Sequence, residues 1–414
     1  MSELIDNRAD RIQKLKGIIK RLHDGVDPGE VRQQLTDLVR ETDAGEIAAM
    51  EQELIAEGMP LEEIKSMCDL HAIVVQDIMK ERQKPSVPPG HPVDTLRREN
   101  AAVRDVIATM RAAMEEIKQL PDDAPPGEAL LQWRQALNDL MDLDKHYQRK
   151  EHLLFSCLER HGITGPSQVM WAKDDEVRGL LKTLQDALAA GDGKAIEYAV
   201  AADQVAEPAL QAVEAMIQKE EQILLPMVLQ TLTEEELGEI WAESSEYGWC
   251  LVEPREGYQP PQPMQPDRTI HLPKDRAVVL PTGTLDFEQL KGIFSTLPVD
   301  LTFVDADDRV RFFSEGPERI FARSKAIIGR KVQHCHPQKS VSVVDQILSD
   351  FRSSRQNVAE FWINLQGKFV YIRYFAVRDA EGTYLGTLEV TQDLTRLRAL
   401  EGERRLLQYD SPAG

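Results

Sequence analysis

Two proline-dense stretches divide this chain, and across the second the spacing of its apolar residues changes. The first is PSVPPGHP, Pro85 to Pro92; the second runs from Glu253 to Pro281 and contains PREGYQPPQPMQPDR. Proline removes a backbone donor, fixes φ and pushes the preceding residue out of the helical region, so no helix or central strand runs through either stretch. Upstream, apolar residues recur every three or four positions; from Leu285 onward they tend to alternate. The first period belongs to helices and the second to strands. Single cores stop growing near roughly 250–300 residues, so a chain of 414 residues punctuated in this way folds as separate domains.

Residues 1–84 read as a small helical domain. Leu15, Ile18, Ile19 and Leu22 share one helical face, and Asp27-Pro28 opens a second helix that carries Val31, Leu35 and Leu38. A third holds Ile47, Met50, Leu54 and Ile55 before Gly58, and a fourth starts at Pro60 and carries Ile64, Met67, His71 and Val74. Residues 90–248 predict a four-helix bundle, with helices over Val93 to Gln119, Glu128 to His161, Asp174 to Leu188 and Gly193 to Gln230, the last interrupted near Pro208. A further helix over Thr231 to Tyr247 has Thr233 as N-cap and Glu236 three residues on. Residues 249–284 read as a proline-rich linker.

The last domain, residues 285–398, has five runs of strand character: Asp300 to Asp305, Val310 to Phe313, Ala359 to Leu365, Phe369 to Val377 and Leu385 to Thr391. A helix over Val341 to Ser353 precedes the last three. Hairpin turns at Asp305 to Asp308 and Asp379 to Gly382 imply one antiparallel sheet with helices on one side. Residues 399–414 form a C-terminal tail.

Charge restricts the partners. Seventy acidic against 49 basic residues leave a formal charge of -21, which opposes binding to nucleic acid or an anionic membrane through a broad basic surface. No run of about 18 uncharged apolar residues is present to span a bilayer. The four cysteines are far apart and form no CxxC pair, and Met1 to Asp10 has no secretion signal, so the expected compartment is the reducing cytoplasm.

Particular stretches resemble known families. FEQLKGIFSTLPVDLTFVDADDRVRFFSEG (Phe287 to Gly316), GRKVQHCHPQKS (Gly329 to Ser340) and TQDLTRLRALEGE (Thr391 to Glu403) resemble a PAS domain. GHPVDTLRREN (Gly90 to Asn100), HYQRKEHLLF (His146 to Phe155) and EEQILLPM (Glu220 to Met227) resemble hemerythrin-like HHE cation-binding domains. LKGIIKRLHDG and MCDLHAIVV are similar to the domain of unknown function 438. The implied fold class is multidomain: an all-α N-terminal half, made of the small helical domain and a hemerythrin-like four-helix bundle, followed by an α+β PAS domain with a five-stranded antiparallel sheet.

The hemerythrin resemblance implies non-haem iron, as a diiron or single-metal site built from inward His and carboxylate ligands. In this sequence the slots hold His91 and Asp94 on the first helix, His146 on the second, Asp174 on the third and Glu220 on the fourth. The position expected to carry a bridging Glu is Lys150, and Met216 stands in the His slot of the fourth helix. Glu151 is the substitute carboxylate, although at ~100° per residue it lies about 140° around the helix from His146. Two readings stay open: a metal site, or a buried ion-pair network in which Lys150 pairs with Asp94 or Glu220 in place of a metal. His152 and His161 fall outside the pattern and are expected at the surface.

In the PAS-like segment, His334, Cys335 and His336 offer an axial ligand for haem, and Phe303 and Trp362 offer aromatic contacts to haem or another small ligand. Cys68 and His71 lie at i and i+3 but lack a second pair to complete a metal site. The favoured function is a cytoplasmic sensory or signalling protein, an enzyme being the less favoured reading, in which the PAS domain alters contacts with a protein partner or with a second copy in a homodimer. The alternative is a diiron protein that handles oxygen, nitric oxide or iron for repair or detoxification.

Overall fold

The computed structural model describes residues 86–190, 193–261, 278–316, 319–321, 323–403 and 405, together with 13, 14, 16–18, 21 and 26. The expected helices of residues 1–84, and the Cys68–His71 pair, otherwise lie outside the described residues. The chain divides into two units. The first is Met1–Asp267 with Arg323–Arg330 and His334–Lys339; the second is Arg268–Ala322, Lys331–Gln333 and Ser340–Gly414. Among the described residues no helix is long and apolar enough to cross a membrane.

The first unit contains the bundle. Its first arm, α1 (Pro92–Lys118), buries Val93, Leu96, Val103, Ile107, Met110, Met114 and Ile117 on one stripe. Each such aliphatic side chain contributes about 1.5–3 kcal/mol when fully buried. The second arm, expected as one helix, is α2 (Gly127–Leu140), α3 (Leu143–Arg149), a π turn over Lys150–Leu154 and α4 (Phe155–Arg160). The third is α5 (Gly165–Ala190), which begins earlier than its apolar pattern indicates. The fourth is α6 (Ala195–Ala201), a π turn over Ala202–Ala206, α7 (Glu207–Lys219), a π turn over Glu220–Leu224 and α8 (Leu225–Thr231).

Two of the π turns lead directly into a proline, Pro208 and Pro226. A proline ring crowds the carbonyl four residues back and offers it no N–H, and widening the preceding turn relieves both defects. No proline follows the turn at Lys150, so local sequence does not explain it.

After the bundle, α9 (Glu234–Ser244) starts on a full capping box: the Glu236 amide donates to Thr233 Oγ1 at 3.2 Å and the Thr233 amide to Glu236 at 3.0 Å. The chain then stays on the first unit, where a linker was expected. Cys250 is buried, and Arg255 and Tyr258 reach Asp94 and His91.

The second unit opens with a small hairpin, β1 (Val278–Leu280) and β2 (Gly283–Leu285), in residues the sequence assigned to linker. Then follow α10 (Phe287–Thr296), β3 (Asp300–Asp305), β4 (Val310–Phe313), α11 (Gln338–Arg352), β5 (Val358–Leu365), β6 (Lys368–Arg378), β7 (Tyr384–Asp393) and α12 (Thr395–Arg398). The five-stranded antiparallel sheet has the order β4-β3-β7-β6-β5. Its core includes Leu301, Val304, Phe351, Val370 and Val390. Asp286 caps α10 with Gln289 in a second capping box.

Candidate functional site: a buried charge network in the bundle

His146 sits at the centre of the bundle with both ring nitrogens engaged. Nδ1 is 2.8 Å from Glu99 Oε2 and Nε2 is 3.0 Å from Glu220 Oε2. One turn on, Lys150 points the same way. Its Nζ donates to Asp174 Oδ1 at 2.8 Å and to Glu220 Oε1, and lies 4.2 Å from the centre of the Tyr147 ring. Asn100 Nδ2 donates to Glu220 Oε2 at 2.9 Å. Glu99 also accepts from the Arg149 guanidinium and, at 2.8 Å, from the Cys250 amide. Arg178 holds Glu151 in a two-pronged contact at 2.8 and 2.9 Å and reaches Asp144 at 2.7 Å.

His146, Arg149, Lys150 and Arg178 thus face Glu99, Glu151, Asp174 and Glu220, cation for carboxylate, and most of these groups are almost wholly excluded from solvent. A charge buried without a partner is severely penalised, and the matching is what makes this interior tolerable.

The π turn explains why Lys150 and Glu151 are both buried. In it the Phe155 N–H bonds to the Lys150 carbonyl, spanning five residues where an α-helix spans four. One extra residue is thereby inserted, and two neighbouring side chains face inward where a regular helix admits one. Glu151 engages Arg178, while His146 engages Glu99 and Glu220. The second π turn begins on Glu220 in the same manner, with the Leu225 N–H bonded to the Glu220 carbonyl.

The electrostatics follow from the contacts. Burial disfavours a charged imidazole, but Glu220 and Glu99 on its two nitrogens raise His146 to about 9, so the ring is an imidazolium at neutral pH. Burial likewise works against the Lys150 ammonium, and Asp174 and Glu220 outweigh it and hold the charge in place. Glu220, despite its burial, is held well below the usual carboxylate range by Lys150 and His146. Asp174 moves the other way: burial, with Glu151 and Glu220 close by, pushes its carboxyl well up. Asp174 Oδ2 has no hydrogen-bond partner, nor do Asn100 Oδ1 and the Tyr147 hydroxyl.

His91 and Asp94 are placed apart from this network. His91 is the N-cap of α1: its Nδ1 accepts from the Val93 amide at 3.1 Å, and its ring meets Tyr258 edge-on at 4.8 Å. Burial lowers it to about 4, so it is neutral. Asp94 accepts from the Gly90 amide at 2.8 Å and from Arg255 at 2.5 Å. Lys150 therefore pairs with Asp174 and Glu220, and not with Asp94. His152, expected at the surface, is half-buried between Trp171 at 5.5 Å and Tyr247 at 5.7 Å. His161 bonds to Glu236 at 2.8 Å on the exposed end of α4.

Sequence reasoning missed Glu99, Asn100, Arg149 and Arg178. The signal for the first two was present, because Glu99 and Asn100 interrupt the apolar stripe between Leu96 and Val103. Arg178 stands at i+4 from Asp174, where it shares that face.

Among the residues proposed to touch a PAS ligand, Phe303 is half-buried on β3 and Trp362 is 65% exposed on β5. The register puts both on one face of the sheet, three strands apart and four residues out of line, a separation of about 20 Å at ~4.8 Å per strand and ~3.4 Å per residue. They do not converge. His334, Cys335 and His336 are half-buried at and after a 3₁₀ turn over Val332–Cys335. His334, which falls in the first unit, has Nδ1 3.4 Å from Glu159 of that unit.

Comparison with known proteins agrees with this architecture. Residues 91–228 match the hemerythrin HHE cation binding domain, residues 290–395 a PAS domain, and residues 15–81 a family of unknown function numbered 438. The chain is a multidomain protein of the class that joins a hemerythrin-like bundle to a PAS domain. Within it, the domain of unknown function 438 comes first, the HHE domain second and the PAS domain last.

Similar solved structures include a C-terminal domain from Streptococcus mutans, at 32% identity over 31% of this chain and 99% of that one, with a TM-score of 0.30. A sensory box sensor histidine kinase from Vibrio cholerae is 12% identical over 26% of this chain and 89% of that one, with a TM-score of 0.21. A PAS domain from Colwellia psychrerythraea is 13% identical over 26% and 97%, with a TM-score of 0.22. No curated protein matches the chain. A hemerythrin-like bundle and a PAS domain in one chain support a sensory or signalling role.

The HHE family implies a bound cation. A metal requires lone pairs that converge on one point. Here the two imidazole nitrogens of His146 face opposite carboxylates, and an ammonium sits between Asp174 and Glu220. Among the described residues no group of three or more His, Cys, Asp and Glu side chains is arranged to hold a metal ion. In this packing the residues do not fit a diiron centre.

Proposed function

We propose that this protein is a cytoplasmic sensor whose PAS domain, on binding a small ligand or on a redox change, alters a surface that contacts another protein or a second copy of the chain. The observation that carries the reading is the apolar surface of the second unit. Phe287 and Ile293 on α10 are 50% and 45% exposed, and Trp362 on the edge strand β5 is 65% exposed. Large aromatic side chains left in water on a leading helix and a sheet edge are what a docking surface presents. His334, Cys335 and His336, which fall within the segment that matches a PAS domain, are the side chains proposed to meet haem.

Sedimentation velocity of the full chain, with and without haem, tests this reading. The expected result is concentration-dependent self-association that haem or reduction shifts and that Trp362→Glu weakens. Association that ignores haem, redox state and the Trp362→Glu change would remove it.

A further inference from the structure

The family's expected cation and the bundle's actual interior disagree, and the disagreement has a specific form. His146, Asp174 and Glu220 come from three different arms of the bundle and meet in one buried cluster rich in carboxylates. The cluster already contains a cation. Lys150 Nζ donates to both Asp174 and Glu220, its side chain is 1% exposed, and the Tyr147 ring closes over it at 4.2 Å. The π turn at Lys150–Leu154, which no proline requires, begins at this lysine, and Lys150 and Glu151 are both buried in it.

We propose that the Lys150 ammonium is the resident cation of this bundle: a covalently attached charge that occupies the place of a metal ion and excludes one. The logic is charge replacement. Carboxylates gathered in a dry interior need a positive partner. A tethered ammonium supplies one without a coordination shell, with three donors of which two are used here on Asp174 and Glu220. It follows that the exclusion resides in one side chain. Taking away the ammonium leaves His146, Asp174 and Glu220 around a space with an unmet demand for positive charge, and a divalent metal ion has both the charge and the ligand preferences to fill it. The inference concerns the bundle alone and stands whether or not the PAS domain acts as proposed above.

The test uses the full chain, stripped of metal by chelation, and cobalt(II) as a spectroscopic probe. Wild type, Lys150→Glu and Lys150→Ala are titrated with the metal alone, and visible absorption bands report coordination by protein ligands. The expected result is no coordinated cobalt in wild type and one equivalent in each variant. In the variants bound metal also raises the melting temperature, and adding Glu220→Gln abolishes the gain. Lys150→Ala covers the case in which the extra carboxylate of Lys150→Glu prevents folding. The wild-type titration stands by itself if both variants are unstable. Cobalt coordinated in wild type and lost on Glu220→Gln would overturn the proposal, as would folded variants that gain no site.

Discussion

Lys150 Nζ lies 2.8 Å from Asp174 Oδ1 inside the bundle, where both side chains are almost completely buried. The two residues come from different arms, and Glu220 from a third shares the ammonium. This contact turns a collection of inward carboxylates into a stable interior, and it places the sequence's most unexpected residue at the centre of the fold.

Removing one partner of such a cluster leaves charge without compensation. Lys150→Met is expected to destabilise the bundle by about 3–5 kcal/mol, measured by denaturant unfolding followed through tryptophan fluorescence. Combining it with Glu220→Gln removes an uncompensated carboxylate, so the double variant recovers part of that loss and the two effects are not additive. Additive losses would show that the two side chains are not coupled.

Two histidines of the bundle, His146 and His152, make the stability depend on pH in opposite directions. His146 is raised from 6.5 to about 9, so its contribution is complete below pH 6.5 and fades as pH rises through 9. His152 is lowered to about 3 by burial, with Arg330, Arg178 and Arg323 adding to the effect, so its contribution is complete above pH 6.5 and fades as pH falls towards 3. The stability advantage of wild type over His146→Gln is therefore expected to shrink on the alkaline side. Relative to His152→Phe, wild type loses ground on the acid side. Denaturant midpoints across this range check both slopes.

In the PAS domain, Gly386 on β7 has φ +150°, and a Cβ there would come within 2.1 Å of the Val304 carbonyl oxygen. Gly386→Ala should therefore cost on the order of 2–4 kcal/mol, because the obstruction is backbone and cannot rotate away. Gly292 in α10 has nothing within 4 Å of its missing Cβ. Gly292→Ala should stabilise by about 0.5–1 kcal/mol through helix propensity. Thermal unfolding of the two variants provides the contrast.

Much of this architecture was legible in the sequence because its signals are local. The Thr233–Glu236 capping box, the apolar stripe of α1 and the alternation at the start of β6 each depend on neighbours within a few positions. The site was legible in part. His146, Asp174 and Glu220 were recognised by their slots, and Lys150 by its departure from the pattern. The π turn at Lys150 was not legible, because it answers to tertiary charge pairing and carries no proline to announce it. His152, which fell outside the ligand pattern and was expected at the surface, is half-buried against Trp171 and Tyr247. The β1–β2 hairpin was missed because its strands are three residues long and, among the described residues, pair with each other alone.

The account's central claim is that the bundle's cation is Lys150. The most direct measurement is the iron content of the full chain purified from iron-supplemented cells, by elemental analysis against protein concentration. The account predicts less than about 0.1 iron per chain, since the ligands a metal needs are already committed to an ammonium and an imidazolium. One or two irons per chain, lost when Glu220 is changed to Gln, would contradict it.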